Sequence, residues 1–271
     1  MIRIFKKTLV FVVTLTMASA PAWADGLITA GTIKVGSDLT YPPYNYFGDD
    51  KKPAGFDVEL MTALAQIAKL KVEVKDTRFE NLIIGVRGMQ FDIIASTLYV
   101  KPDRAKQVDF IPYMKTGVSI AVSTESGLSF KKPEDLCGRK VGSIKGAAWI
   151  EKLTELNQTV CKGKPIDSRE FPTSPEATQA MMSGGVDAQM EDSAVLQEAV
   201  RKLGGKIKIT TSKNYYPVVV GLAVRKGNKE LAQTVRQALQ TLEKNGSYDR
   251  LLKKYNVSKP TEAEFKAAVG G

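Results

Sequence analysis

The sequence predicts an α/β protein built as two lobes joined by a two-strand hinge. Three observations carry that prediction. Strand-like and helix-like segments alternate in two separate sets. Two long extended stretches, near 113–122 and 216–225, separate the sets. No Gly/Ser/Pro-rich linker divides them, which disfavours two sequential domains on one linker. Two crossings insert one lobe in the other: 25–115 with 219–271 form the first lobe, and 116–218 the second.

The elements follow in order. "TIKVGSD" (Thr32 to Asp38) reads as a strand. "GFDVELMTALAQIAKL" places Phe56, Leu60, Leu64 and Ile67 at helical spacing. "KVEVKD" alternates as a strand does, "FENLIIGVRG" suits a short helix ending at Gly88, and "FDIIAS" reads as a buried strand. This order implies a parallel, doubly wound sheet. "DFIPYMKTGVSIAVS" is the first long extended stretch. In the second set "KVGSIK", "IDSREF", "VDAQMED" and "KIKIT" read as strands. Helices are expected from "AAWIEKLTEL", "SPEATQAMMSGG" and "SAVLQEAVRKLGG", the second with Ser174 as N-cap. "YYPVVVGLAVRKG" is the second extended stretch. A helical tail follows: "NKELAQTVRQALQTLEKNG", "SYDRLLKKY" and "TEAEFKAAV".

The first 24 residues read as an export signal. Arg3, Lys6 and Lys7 precede the short apolar run "TLVFVVTLTMAS", and "AWA" (Ala22 to Ala24) offers small residues for cleavage. The mature chain is expected to start at Asp25 and to work in the periplasm. The run is too short for a comfortable membrane span. The formal charge of +10 falls to +7 without the three leader cations. The remaining Lys and Arg are interspersed with acids, so nucleic-acid binding is not expected. After export, Cys137 and Cys161 read as a disulfide. The chain has no histidine, which removes the commonest general base and every Ser-His or Cys-His pair. No metal site and no cofactor are expected.

Ligands of open α/β sheets lie beyond the carboxyl ends of strands, and four such ends stand out. In "GSDLTYPPYNYFG", Asp38 ends a strand and Tyr41, Tyr44 and Tyr46 surround two prolines; the rings either meet a ligand or pack on the core. In "STLYVKPDRAKQVDF", Ser96, Thr97 and Tyr99 precede Arg104. That arginine either grips a carboxylate in a bidentate pair or sits on the surface against Asp103 or Asp109. In "VGSIKGAAWIEKL", a glycine turn opens a helix at Ala147, Ala148 and Trp149, a backbone anion site or an ordinary βα turn. In "VDAQMED", Glu191 and Asp192 suit a ligand ammonium, and Asp192 also suits a helix N-cap. Together the four ends complement a zwitterion such as an amino acid.

Eight stretches in this order resemble the polar amino-acid family of periplasmic solute-binding proteins, the receptors of ABC importers. They are "GSDLTYPPYNY", "GFDVELMTALA", "FENLIIGVRGMQFDII", "KPDRAKQVDFIPY", "DLCGRKVGSIKG", "VDAQMED", "GLAVRKGN" and "NGSYDRLLKKY". The resemblance implies a type II periplasmic binding fold that closes on an amino acid and docks on the membrane permease of an ABC importer. It implies that Arg104 grips the ligand α-carboxylate, Thr97 assists through its backbone, and Asp192 takes the α-ammonium. Tyr41 and Phe79 would flank the ligand side chain, Asp38 would approach its polar end, and Ala147, Ala148 and Trp149 would meet the carboxylate. Two positions depart from the family pattern. Tyr99 stands where Ser or Thr is usual, and "AAW" stands where a Thr usually follows the turn glycine. A polar or cationic amino acid is expected, with modified ones plausible.

A monomeric binding protein without catalysis is therefore expected. The alternative is an exported dehydratase of the cyclohexadienyl type on the same fold, with Glu191 or Asp192 as general acid.

Overall fold

The computed structural model describes residues 26–270. The expected export signal and Asp25 lie outside the described residues. The chain opens with β1 (Thr32–Ser37), β2 (Thr40–Tyr41), β3 (Asn45–Phe47), β4 (Pro53–Ala54), α1 (Phe56–Ile67) and β5 (Lys71–Asp76). It continues through α2 (Leu82–Arg87), β6 (Ile93–Ile94), α3 (Pro102–Ala105) and the long β7 (Val108–Ser123). A second set follows: β8 (Lys140–Ile144), α4 (Trp149–Gln158), β9 (Asp167–Phe171), α5 (Ser174–Met182), β10 (Ala188–Asp192), α6 (Ser193–Lys202) and β11 (Ile207–Ile209). The chain then returns along β12 (Tyr215–Arg225) to α7 (Lys229–Lys244), α8 (Ser247–Lys254) and α9 (Glu262–Ala268).

One curled sheet runs β5-β1-β6-β12-β7-β10-β8-β9, with β11 also on β7. It is parallel within each half, across β5-β1-β6 and β10-β8-β9. It is antiparallel at the join, where β12 pairs β6 and β7, and β7 pairs β10. The parallel order expected of the first set is borne out in β5-β1-β6, and the antiparallel pairs lie where the two long strands cross between the halves. β7 leaves the first half and β12 returns to it, so the two must run in opposite directions. Their ladder extends from Arg225 opposite Val108 to Tyr215 opposite Val118, with two bulges. The result is the two-lobe type II periplasmic binding fold.

Successive strand residues point to opposite faces. Ile93 joins a cluster with Ile33, Met61, Leu64 and Val235 under α1 and α7, while Ile94 joins Leu82, Val86, Val108 and Phe110 under α2. Both faces of the first half are thus covered by helices, as the doubly wound reading requires.

The "DLTYPPYNYFG" stretch, with the residues that follow it, forms a small sheet of β2, β3 and β4. One local expectation changes. The N-cap of α5 is Thr173, not Ser174. Thr173 Oγ1 accepts from the Glu176 N–H, and the Glu176 carboxylate accepts from the Thr173 N–H at 3.0 Å. That reciprocal box satisfies two donors at once. Ser174 with Ala177 cannot form one, and the Ser174 hydroxyl instead accepts from Gln189 Nε2 at 3.1 Å. The Cys137–Cys161 disulfide is formed and closes the segment carrying β8 and α4.

Candidate functional site

The strand ends converge on the seam between the halves. Tyr41, Phe79, Thr97, Tyr99 and Arg104 from the first half face Ile144, Ala147, Ala148 and Trp149 from the second. Between them lies a cavity of about 10 Å³, roughly the space one water molecule needs. Of these residues only Ile144 lacked a signal in the sequence. It is the apolar last residue of β8 and reads there as core.

Arg104 is the third residue of α3, whose first residue, Pro102, is pre-set for helix. It is 6% exposed. One terminal nitrogen donates to the Tyr99 carbonyl at 2.9 Å and the other to the Gly146 carbonyl, across the seam, at 2.8 Å. Its guanidinium lies 5.5 Å from the centre of the Phe79 ring. Burial lowers its pKa to about 10, so it stays protonated at neutral pH. The surface pairings open to it in the sequence are not made: Asp103 pairs with Lys101 and Asp109 with Lys226.

Thr97 holds φ at +48°, the left-handed region that β-branched residues avoid. Asp57 offsets that strain. Its Oδ2 accepts from the Thr97 N–H at 2.7 Å and from the Thr97 hydroxyl at 3.1 Å, while its Oδ1 accepts from the Tyr113 hydroxyl at 2.5 Å. Thr97 therefore lines the cavity with its backbone donor bonded to Asp57. Burial pushes the Asp57 carboxyl up to about 6.

Asp38 and Ser96 lie off the cavity. Asp38 accepts from the Thr40 hydroxyl at 2.6 Å and the Phe79 N–H at 2.8 Å, and pairs with Arg78 at 3.0 Å. Ser96 Oγ accepts from the Asp38 N–H and from Asn45 Nδ2, each at 3.0 Å. Both residues thus tie the end of β1 to its neighbours.

Glu191 and Asp192 end β10 and are fully buried. Asp192 caps α6 through the Ala194 N–H at 3.0 Å, as read from the sequence. It also accepts from the hydroxyls of Tyr99 at 2.7 Å, Thr116 at 2.8 Å and Tyr44 at 3.1 Å. Glu191 accepts from the Tyr41 hydroxyl at 2.5 Å. Burial raises both carboxyls, Glu191 to about 7. Tyr41 and Tyr44, which the sequence left between ligand and core, thus reach across the seam to carboxylates. Tyr46 lies half-buried, its ring 5.3 Å from Lys202 Nζ. Thr116 was not legible in advance, because an isolated threonine in an extended stretch carries no spacing signal. Trp149 donates its indole N–H to Ser143 Oγ at 3.1 Å and meets the Tyr99 ring edge-on at 5.7 Å.

Comparison with known proteins agrees with this architecture. The family model of "Bacterial extracellular solute-binding proteins, family 3" matches residues 33–258. The L-cystine-binding protein TcyJ of Escherichia coli (strain K12) is 29% identical over 226 residues, covering 83% of this chain and 82% of that protein. A solved ancestral arginine-binding protein bound to arginine superposes with a TM-score of 0.77 at 32% identity, covering 83% of this chain and 98% of its own. An ancestral amino acid-binding protein described as a precursor of cyclohexadienyl dehydratase gives 0.72 at 31% identity, covering 83% and 95%. The matched span, the two-lobe sheet and the convergence of strand ends on one seam agree: this chain belongs to the bacterial extracellular solute-binding proteins, family 3.

Proposed function

We propose that the protein captures an amino acid between its lobes and delivers it to the membrane permease of an ABC importer. The observation that carries this reading is Arg104. It is a buried, protonated guanidinium at the seam whose hydrogen bonds, among the described residues, go to two carbonyl oxygens. A buried cation is costly without an anionic partner, and a ligand carboxylate is the partner whose planar geometry its fork fits. Tyr41 and Phe79 flank the same space, and Asp192 lies beyond Tyr99 for an ammonium. Lobes of 25–115 with 219–271, and of 116–218, would close about β7 and β12, with the ligand favouring the closed state through contacts made only there. Loss of residues 1–24 and action as a periplasmic monomer complete the proposal.

Calorimetry against the standard amino acids and cystine tests it. Arg104→Ala is expected to weaken binding on the order of a hundredfold or more, the loss typical of one partner in a buried charged pair. Near-wild-type affinity would sink the carboxylate role. A second reading, the cyclohexadienyl-type dehydratase, draws on the Glu191 carboxyl, which is part-protonated at neutral pH. Incubation with prephenate or arogenate, followed by ultraviolet absorbance of the product, decides it. No absorbance change leaves binding as the function.

A further inference from the structure

We propose that Tyr99 is an internal competitor for the ligand ammonium. Its hydroxyl holds Asp192 in the closed seam, and an amino acid binds by displacing it. This rests on the amino-acid reading above and assigns the residue that sets its affinity.

An ionised carboxylate offers about four lone-pair sites, and Asp192 has all of them engaged. One oxygen receives Tyr99 and Thr116, and the other receives Tyr44 and the Ala194 N–H. An incoming ammonium can be accepted only if a donor leaves. The Ala194 N–H is fixed as the cap of α6. Neither Thr116, on the hinge strand β7, nor Tyr44 lines the small cavity, whereas Tyr99 does, so Tyr99 is the donor an entering ligand meets.

Tyr99 also meets the other end of the site. Its carbonyl accepts from Arg104 at 2.9 Å while its hydroxyl donates to Asp192 at 2.7 Å. One residue thus supplies an acceptor to the cation and a donor to the carboxylate, the pairing a zwitterion would make. A serine at this position is too short to do both. The hydroxyl also bridges the seam, so the same bond that blocks the ammonium holds the lobes together. Ligand affinity is reduced by the share of molecules held in that self-closed arrangement.

Tyr99→Phe keeps the ring and removes the hydroxyl. Trp149 reports the outcome without any ligand. It is 4% exposed and packs on Tyr99, and the chain's other tryptophan, Trp23, lies in the expected export signal. In the protein alone, Tyr99→Phe is expected to red-shift Trp149 emission and to enlarge the radius of gyration in X-ray scattering. In calorimetry with arginine, or whichever standard amino acid or cystine binds wild type, its Kd is expected to fall on the order of tenfold, the worth of a hydrogen bond to a charged group. Tyr99→Ser should move Kd in the same direction.

Tyr248→Phe is the control. It removes a buried hydroxyl bond to the Tyr113 carbonyl within the first half, and it should change neither readout. Unchanged or weaker binding by Tyr99→Phe overturns the competitor role and leaves the amino-acid reading standing. Equal shifts in Tyr248→Phe overturn it as well, since the effect is then general loosening. If no protein binds any amino acid, the amino-acid reading fails and the competitor role with it; a red shift confined to the Tyr99 variants then marks a closure lock alone.

Discussion

Replacing Glu191 with glutamine is expected to remove a large, one-directional pH dependence of stability. The Glu191 carboxyl is fully buried in β10. Its Oε1 accepts from the Tyr41 hydroxyl and the Asp192 N–H, and its Oε2 has no hydrogen-bond partner among the described residues. Burial is the largest influence and raises the pKa from 4.5 to about 7; the Tyr41 and Asp192 bonds pull the other way, and the Asp192 charge adds to the rise. The folded protein therefore holds this proton more tightly than the unfolded chain does. Between pH 4.5 and 7 the native state carries the extra proton, so stability falls as pH rises through that window and levels off above it. At about 1.4 kcal/mol per pH unit, the loss amounts to about 3 kcal/mol. Glutamine keeps the acceptor for Tyr41 and carries no titrating proton. Asp57, raised to about 6 by burial, adds a fall of its own at the acidic end in both proteins. Urea unfolding at pH 5, 6, 7 and 8 gives the measurement. Wild type should lose roughly 2 to 3 kcal/mol more than Glu191→Gln across the series. Parallel curves for the two proteins would refute the assignment of a protonated Glu191 to the folded state.

Other outcomes follow from the fold. Replacing both Cys137 and Cys161 with serine frees a loop of 24 residues' separation and should cost about 3 kcal/mol on the chain-entropy account, read as a lower urea midpoint. Gly55 precedes α1 at φ +108°, and an added Cβ would lie 2.4 Å from the Tyr44 carbonyl oxygen. Gly55→Ala should therefore destabilise by more than the roughly 1 kcal/mol of an ordinary glycine exchange, and an unchanged melting temperature would contradict the clash. Thr173→Ala removes the α5 capping box and should cost about 1 kcal/mol, whereas Ser174→Ala should leave that box intact.

Much of the fold was legible because its signals are local. The helical spacing of Phe56, Leu60, Leu64 and Ile67, and the two long β-rich stretches, are properties of short windows. The antiparallel join was not legible, since the direction in which two remote strands pair is set by how the chain returns. The same division runs through the site. Arg104 could be read as an anchor or as a surface charge, and no local pattern separates them. Burial against Phe79 and the Gly146 carbonyl excludes the surface pairing. Asp38 and Ser96 looked like ligand contacts because they end strands at the right place. The Asp38 carboxylate also bonds the Phe79 N–H, 41 positions away, and Ser96 Oγ bonds Asp38 and Asn45, more than 50 positions away, partners that no motif around either residue displays.

By itself the sequence determined the alternation of elements, the two crossings between lobes, the cysteine pair and the set of strand ends from which a site could be built. Only the tertiary structure decided how those ends are used. It turned Tyr41, Tyr44 and Tyr99 toward buried carboxylates, committed the Thr97 N–H to Asp57, and left Arg104 protonated among carbonyls. The physical reason is that hydrogen-bond satisfaction and desolvation are properties of a closed three-dimensional neighbourhood. Residues up to about 150 positions apart, such as Tyr41 and Glu191, share one such neighbourhood only after the chain has folded.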